Sequence, residues 1–255
     1  MKIDKLIKLV NTLRKKCPWD RKQTLKSLKN NLVEETYELV EAIEDNNSTA
    51  IKEEIGDILF LSLFLAKIFE EEKGARPNEL ISSTVKKYKN KHPHVFKKIN
   101  LVNQDAVLKY WQRTKKDIFY GIPIALPALL AAKIIQERAS KFGFDWNSCQ
   151  GPLKKIEEEV KEIKKSIHSK KVFEELGDLL FACVNLARHL KVDPEDVLRH
   201  ANKKFVGRFR KVKNALKKSG RDIEDATLEE MDKIWDAIKT DQHKKIKRQV
   251  KLNNQ

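Results

Sequence analysis

One acidic pattern occurs twice in this chain and governs most of what it can fold into. Glu34, Glu35 and Glu38 precede Glu53, Glu54 and Asp57; far downstream, Glu158, Glu159 and Glu162 precede Glu174, Glu175 and Asp178. At about 100° per residue, the members of each first group fall within one narrow arc of a helix, and the acids three apart in each second group do the same. Two antiparallel helices facing each other across those arcs gather four or five carboxylates around one point. Carboxylates so crowded repel unless a cation lies between them, and an all-oxygen ligand set selects a hard ion, Mg²⁺ or Mn²⁺. A single Glu-Glu-x-x-Glu would be an ordinary solvated helix face. The ordered repetition is what carries the signal, together with Gly-Asp-Ile-Leu-Phe at 56–60 echoed by Gly-Asp-Leu-Leu-Phe at 177–181.

The residues around the acids predict an all-α protein. Glycine and proline number only 8 and 7, while 40% of residues are hydrophobic and 35% charged. Helix formers dominate, with enough apolar material for a core. Ile3, Leu6, Ile7, Val10 and Leu13 step at helical spacing. Cys17-Pro18-Trp19-Asp20 stops that helix, and a second helix carries Glu34, Glu35 and Glu38. The third runs from about Ala50 to Gly74, and Pro77 opens a fourth. Residues 100–119 read as a further helix, and Gly121-Ile122-Pro123 with Pro127 as a linker. Beyond it, helices span Leu129–Phe142, a segment opened by Pro152, one capped by Ser169, and one begun by Asp193-Pro194-Glu195 and closed by Gly220. Thr227-Leu228-Glu229-Glu230 is a capping box for the last. The repeat implies two tandem units of four to five helices, residues 1–121 and 122–255, with a basic, frayed tail over 239–255. Gly56 and Gly177, mid-helix beside the acids, predict close approach of another helix or a ligand.

Composition narrows the functional classes. Three cysteines without metal-ligand spacing suit a reducing compartment. The N-terminus lacks the apolar run of a signal peptide, and the longest apolar stretches, around 58–66 and 122–132, are too short for a bilayer. A soluble, cytoplasmic protein with no membrane contact follows. The formal charge of +16 and a pI near 9.6 raise nucleic acid as a partner. The lysines are scattered along the whole chain with little interleaved arginine or aromatic residue, so solvated helix faces explain them better. No G-x-x-x-x-G-K, G-x-G-x-x-G or EF-hand loop occurs, and no E-x-x-H of the di-iron type. A phosphate ligand would therefore be held by metal and by lysine and arginine. Lys155 and Lys171 each precede an acid by three residues, and Lys204 and Arg208 share a face of the next helix.

At these residues the sequence resembles the MazG family of nucleoside triphosphate pyrophosphohydrolases. The resemblance covers essentially the whole chain: Cys17-Pro18-Trp19-Asp20, Val33 to Glu38, His92-Pro93-His94-Val95-Phe96, Phe173 to Phe181, Asn185 to Leu190, and Asn202-Lys203-Lys204-Phe205 with Arg208-Phe209-Arg210. It implies two tandem MazG domains, a homodimer, and Mg²⁺-dependent hydrolysis of NTPs and dNTPs to the monophosphate and pyrophosphate. By motif position it implies Glu159, Glu162, Glu175 and Asp178 as Mg²⁺ ligands. Lys155, Glu158, Lys171, Glu174, Lys204 and Arg208 would line the nucleotide site. Trp235 would pack against the base or close the pocket, and Glu158 or Glu174 would orient the attacking water. The first half has Asn31 and Ala50 where the second has Lys155 and Lys171, while Lys87 and Lys91 match Lys204 and Arg208. The N-terminal domain is therefore expected to be weak or inactive and to scaffold the dimer. The rival reading, a non-catalytic basic module on RNA or on a regulatory GTPase, has no specific motif behind it.

Overall fold

The structure, a computed structural model, describes residues 3–74, 76–97, 99, 101–113 and 117–253. It is all-α among those residues and divides into two units, Met1–Trp111 and Gln112–Gln255. No helix among the described residues is long and apolar enough to cross a membrane.

The first unit holds α1 (Ile3–Lys16), α2 (Lys29–Glu44), α3 (Ser48–Lys73), α4 (Pro77–Lys91) and α5 (Pro93–Phe96); α6 (Gln104–Arg113) crosses the division. Its core is Val10, Leu28, Leu61, Phe64 and Ile68, with Leu13 and Leu25 packed against it. The apolar stripe of α1 thus closes over the middle of α3. The Asn47 side chain caps α3 by accepting from the Ala50 amide at 3.2 Å, and Gly74 ends it in the left-handed region at φ 70°. Arg14 fastens the Cys17–Asp20 turn: its guanidinium donates to the Asp20 and Gln23 carbonyls, pairs with Glu71 and lies over the Phe64 ring. That motif is therefore tied directly into the core. The helix expected over 100–119 is confined to Gln104–Arg113 where described, and 117–120 is a turn.

The second unit holds α7 (Ala128–Ser140), α8 (Gln150–Ser166), α9 (Val172–His189), α10 (Pro194–Lys218) and α11 (Leu228–Asn253). Helix α9 is central, with α7, α8 and α10 against it and α11 against α10. Asp193 caps α10 by accepting from the Glu195 and Asp196 amides, and the same carboxylate accepts from Lys133 Nζ of α7 at 2.6 Å. Thr227 and Glu230 form the expected reciprocal box, at 3.3 and 2.9 Å. Ser169 lies two residues before the expected cap position: its hydroxyl accepts from the Lys171 amide at 3.3 Å and donates to the Ser166 carbonyl within the connecting turn, while Lys171 stands at the helix start. The basic tail, expected to fray, is helical to Asn253, because it contains no glycine or proline to stop α11.

Candidate active site

Helices α8 and α9 are joined by a turn of a few residues, so they run antiparallel and side by side. On α8, Pro152, Glu159 and Ser166 are buried at seven-residue spacing, which defines the seam against α9. A carboxylate thus lies at the midpoint of a helix interface, and Glu159 is only 1% exposed. One of its oxygens accepts from Lys155 Nζ at 2.5 Å, and the other is buried with no hydrogen-bond partner. Lys155 also reaches Glu158 at 3.0 Å, and its ammonium is held charged above the usual lysine range, mainly by the Glu159 hydrogen bond.

Around this buried acid the other expected ligands converge. Carboxylate oxygens of Glu159, Glu175 and Asp178 lie within 4.8 Å of one another, and so do those of Glu158, Glu159 and Glu162. Burial, then the hydrogen bond that a protonated Glu175 donates to Glu162 and the charges of Glu162, Glu159 and Asp178, raise the Glu175 pKa. The donor set is entirely carboxylate oxygen, it contains one orphaned buried atom, and it carries excess negative charge. These properties fit a hard divalent cation. Of the two expected neighbours of Gly56 and Gly177, a helix is not found: a Cβ at either would meet no protein atom within 4 Å, which leaves open space beside the acids.

The remaining expected residues lie in two other places. Lys171 precedes α9, its carbonyl accepting from the amides of Glu174 and Glu175, and both acids are in the favourable first turn of that helix. On α10 and α11, the Arg208 guanidinium stands over the Trp235 ring at 5.7 Å, and Phe205 meets the same indole at 5.2 Å. Trp235, Arg208 and Phe205 thus form one stacked group, and Lys204 precedes Phe205 on α10.

What sequence reasoning missed lies beside Lys155, Glu159 and Asp178. A cavity of about 670 Å³ opens from these three and is lined further along by Gln136, Phe144, Trp146, Phe181, Asn185 and Arg188. Asp178, Phe181, Ala182, Asn185 and Arg188 follow at helical spacing, so one face of α9 runs from the acids into the cavity. The loop carrying Phe144 and Trp146 is pinned to α9 through Asp145, which accepts from Arg188 and from His189 Nε2 at 3.0 Å. Its hydrogen bond with Arg188 is the largest influence holding the Asp145 carboxyl down to about 2. Asn185 and Arg188 could have been found from their register with Asp178. Gln136, on a different helix, carries no such signal.

The first unit repeats part of this arrangement. Carboxylate oxygens of Glu35, Glu38 and Glu54 lie within 4.8 Å of one another. Burial and then neighbouring acids (Asp57 first for Glu35, Glu38 first for Glu54) raise both pKa values. Among the described residues no ion pair reaches these three carboxylates, and Asn31 stands where the second unit has Lys155.

Comparison with known proteins agrees with this duplicated geometry. The MazG nucleotide pyrophosphohydrolase domain matches residues 23–96 and again 148–213. The chain belongs to the MazG family. The first match runs over α2 to α5 and the second over α8, α9 and most of α10, so each includes an α-hairpin that carries acidic clusters. A Thermotoga maritima protein named nucleoside triphosphate pyrophosphohydrolase/pyrophosphatase MazG is 40% identical over 92% of this chain and 95% of its own length. The nucleoside triphosphate pyrophosphohydrolase of Escherichia coli K12 is 35% identical over 93% of this chain and 97% of its length.

Proposed function

We propose that the chain is a nucleoside triphosphate pyrophosphohydrolase that acts with Mg²⁺ or Mn²⁺ on NTPs and dNTPs in the cytoplasm, from the site in its second MazG domain. The observation that carries this reading is Glu159: a buried carboxylate with one oxygen on Lys155 and the other orphaned among acids of the facing helix. Burying an ionised carboxylate without full pairing is costly, and an orphaned oxygen of this kind suits a ligand that brings positive charge. The names of the Thermotoga and Escherichia relatives supply the reaction class.

In this reading Glu159, Glu162, Glu175 and Asp178 hold the ion. When bound, the ion would offset triphosphate charge and acidify the attacking water. Glu158 or Glu174, both exposed, would orient that water and take its proton as its oxygen bonds to phosphorus, the phosphoanhydride bond breaks and pyrophosphate leaves. Lys155 fixes the Glu159 carboxylate, and Lys171, Lys204 and Arg208 meet the phosphates, with Trp235 stacked on Arg208 to close the site.

The weaker first unit and a homodimer belong to the same reading. Among the described residues of the first unit, no lysine accompanies Glu35 as Lys155 accompanies Glu159. The dimer is supported by apolar stripes left in solvent: Phe173, Leu176 and Leu180 on α9, and Ile81, Val85 and Tyr88 on α4. The test is pyrophosphate release from NTPs, dNTPs and modified nucleotides, with Mg²⁺ and with EDTA. Wild type is compared with Glu38→Ala/Asp57→Ala and Glu162→Ala/Asp178→Ala. Metal-dependent release lost only in the second double variant is expected. Absence of release from every nucleotide refutes the proposal.

A further inference from the structure

The His92-Pro93-His94-Val95-Phe96 motif takes no part in the acidic clusters, and it builds a groove of its own in the first unit. Proline cannot continue a helix, so α4 stops where His92 leaves the helical region at φ −117° and ψ 58°. The bend is held from several sides. Pro93 is buried, and His92 Nδ1–H donates to the Tyr88 carbonyl at 2.9 Å. The His92 ring stands edge-on to Trp111 at 5.3 Å, and the Trp111 indole N–H donates to the Lys91 carbonyl. Beyond the bend, Phe96 of α5 shares a groove of about 480 Å³ with Ile81 and Val85 of α4.

The floor of this groove is apolar and open to solvent: Ile81 is 60% exposed, Val85 47% and Phe96 55%. Its rim is basic, with Lys86, Lys89 and Lys97. Lys89 Nζ stands 5.8 Å over the Phe96 ring, and Lys97 Nζ donates to Asn90 Oδ1 at 2.8 Å. Among the described residues none of these three lysines is paired with a carboxylate. Residues 77–97 hold five lysines against the single acid Glu79. The groove is not a relic of a duplicated nucleotide site. Lys87 and Lys91, which match Lys204 and Arg208, lie on the opposite side of α4 by helical register. At the same offset Pro93 corresponds to Arg210, in the interior of α10, so the second unit continues as helix where the first unit bends.

We propose that this groove docks an acidic amphipathic helix of another protein. Its lining on α4 runs from Ile81 to Asn90, roughly 14 Å, which takes about two to three turns of a helix. Apolar side chains of the partner, spaced at i, i+4 and i+7, fill the line between α4 and Phe96, and its aspartates and glutamates answer the three lysines. The bend is already formed, so little ordering is needed on this side of the contact. Charge decides between occupants. A second copy meeting the groove about a two-fold axis would set the three lysines against themselves, which opposes association. A copy seated on Tyr88, on the other side of the Ile81–Val85 line from Lys86 and Lys89, leaves the basic rim free. A nucleic acid would find lysines here but no arginine, and its phosphates gain nothing from an aliphatic floor. The groove gives the first unit a recruiting task that is independent of turnover.

The experiment selects peptides from a randomised helical library displayed on phage, with the full chain as target. Enriched sequences are expected to carry net negative charge and apolar residues at i, i+4 and i+7. The best of them, fluorescein-labelled, is then titrated by anisotropy. Lys86→Glu/Lys89→Glu is expected to weaken it by about tenfold or more. Lys87→Glu/Lys91→Glu makes the same change of charge on the opposite side of α4 and is expected to cost less than about threefold. Val85→Ser/Phe96→Ser keeps the charge and is expected to weaken the peptide by about tenfold as well. All six positions are exposed, and far-UV circular dichroism confirms that the helices are retained. Enrichment of basic or uncharged sequences, or of none, overturns the inference. So does equal weakening by the two lysine pairs, which reduces the effect to net charge, and so does a peptide indifferent to the groove variants, which binds elsewhere. Sedimentation completes the test: a change of oligomeric state in Lys86→Glu/Lys89→Glu makes a second copy the occupant and refutes docking of another protein.

Discussion

Replacing Lys155 by Met isolates the interaction at the centre of the acidic site. Two unit charges about 4 Å apart at an effective dielectric near 20 attract by roughly 4 kcal/mol. Glu159 is 1% exposed, but the Lys155 side chain is 39% exposed, so solvent screens one end of the pair. Removing the lysine then leaves a buried carboxylate whose penalty we place at about 1–3 kcal/mol, below the 3–5 typical of a pair with both ends buried. For a unit of this size, Lys155→Met should lower the unfolding midpoint in EDTA by roughly 3–10 °C. Two further outcomes belong to the same reasoning. Mg²⁺ restores much of the loss, because a cation again offsets Glu159. Glu159→Gln removes most of the effect of the lysine substitution in a double-mutant cycle. Thermal unfolding by circular dichroism, with and without Mg²⁺, reads both. An unchanged midpoint for Lys155→Met in EDTA, or the same loss in the Glu159→Gln background, would refute the argument.

Glu175→Ala and Asp178→Ala should each abolish metal-dependent pyrophosphate release with far-UV circular dichroism unchanged; retained turnover in either removes it from the ligand set. Because the Glu175 pKa is raised by burial and by Glu162, Mg²⁺ affinity should begin to weaken at a higher pH than an ordinary carboxylate would dictate, and Mg²⁺ addition should release protons there, as calorimetry in buffers of different ionisation enthalpy would detect. Asp145 titrates near 2 against an ordinary 3.8, so it contributes about 2 kcal/mol that is complete above pH 4 and lost as pH falls toward 2. Asp145→Asn should therefore destabilise at pH 7 and flatten the acid limb of the stability profile; an unchanged limb contradicts the pairing with Arg188. Gly151→Ala should displace Trp146, changing its fluorescence and destabilising by about 1–3 kcal/mol; an unchanged spectrum would mean the indole is not seated on α8.

Much of the candidate site was legible in the chain because helical periodicity converts spacing into angle. Glu158, Glu159 and Glu162 had to share an arc, as did Glu175 and Asp178, and the turn between their helices left little choice but to bring the arcs together. Local signals did as well: Asp193 before Pro194, Thr227 with Glu230, and Gly74 after Lys73 mark ends whose physics is confined to a few residues. The reading failed where a signal was local in form but not in cause. Gly56 and Gly177 suggested close approach of another helix or a ligand, and no helix approaches them; Ser169 had the chemistry of a cap but sits in the preceding turn.

By itself the sequence determined the helical class, the duplication, the all-carboxylate makeup of the clusters and their assignment to particular helix faces, since each depends on composition or on spacing within one element. Depth and convergence belong to the tertiary structure. Nothing in Glu158-Glu159 says that the second is buried and the first exposed; that follows from which line of α8 meets α9. Lys155 becomes the partner of Glu159 because the seam excludes water around one acid and leaves a lysine one turn away to answer it. The cavity is more tertiary still, since Gln136, Trp146 and Arg188 come from a helix, a loop and another helix. Periodicity fixes an angle around one axis, whereas a cavity is set by the distances between several axes, and those exist only once the helices have packed.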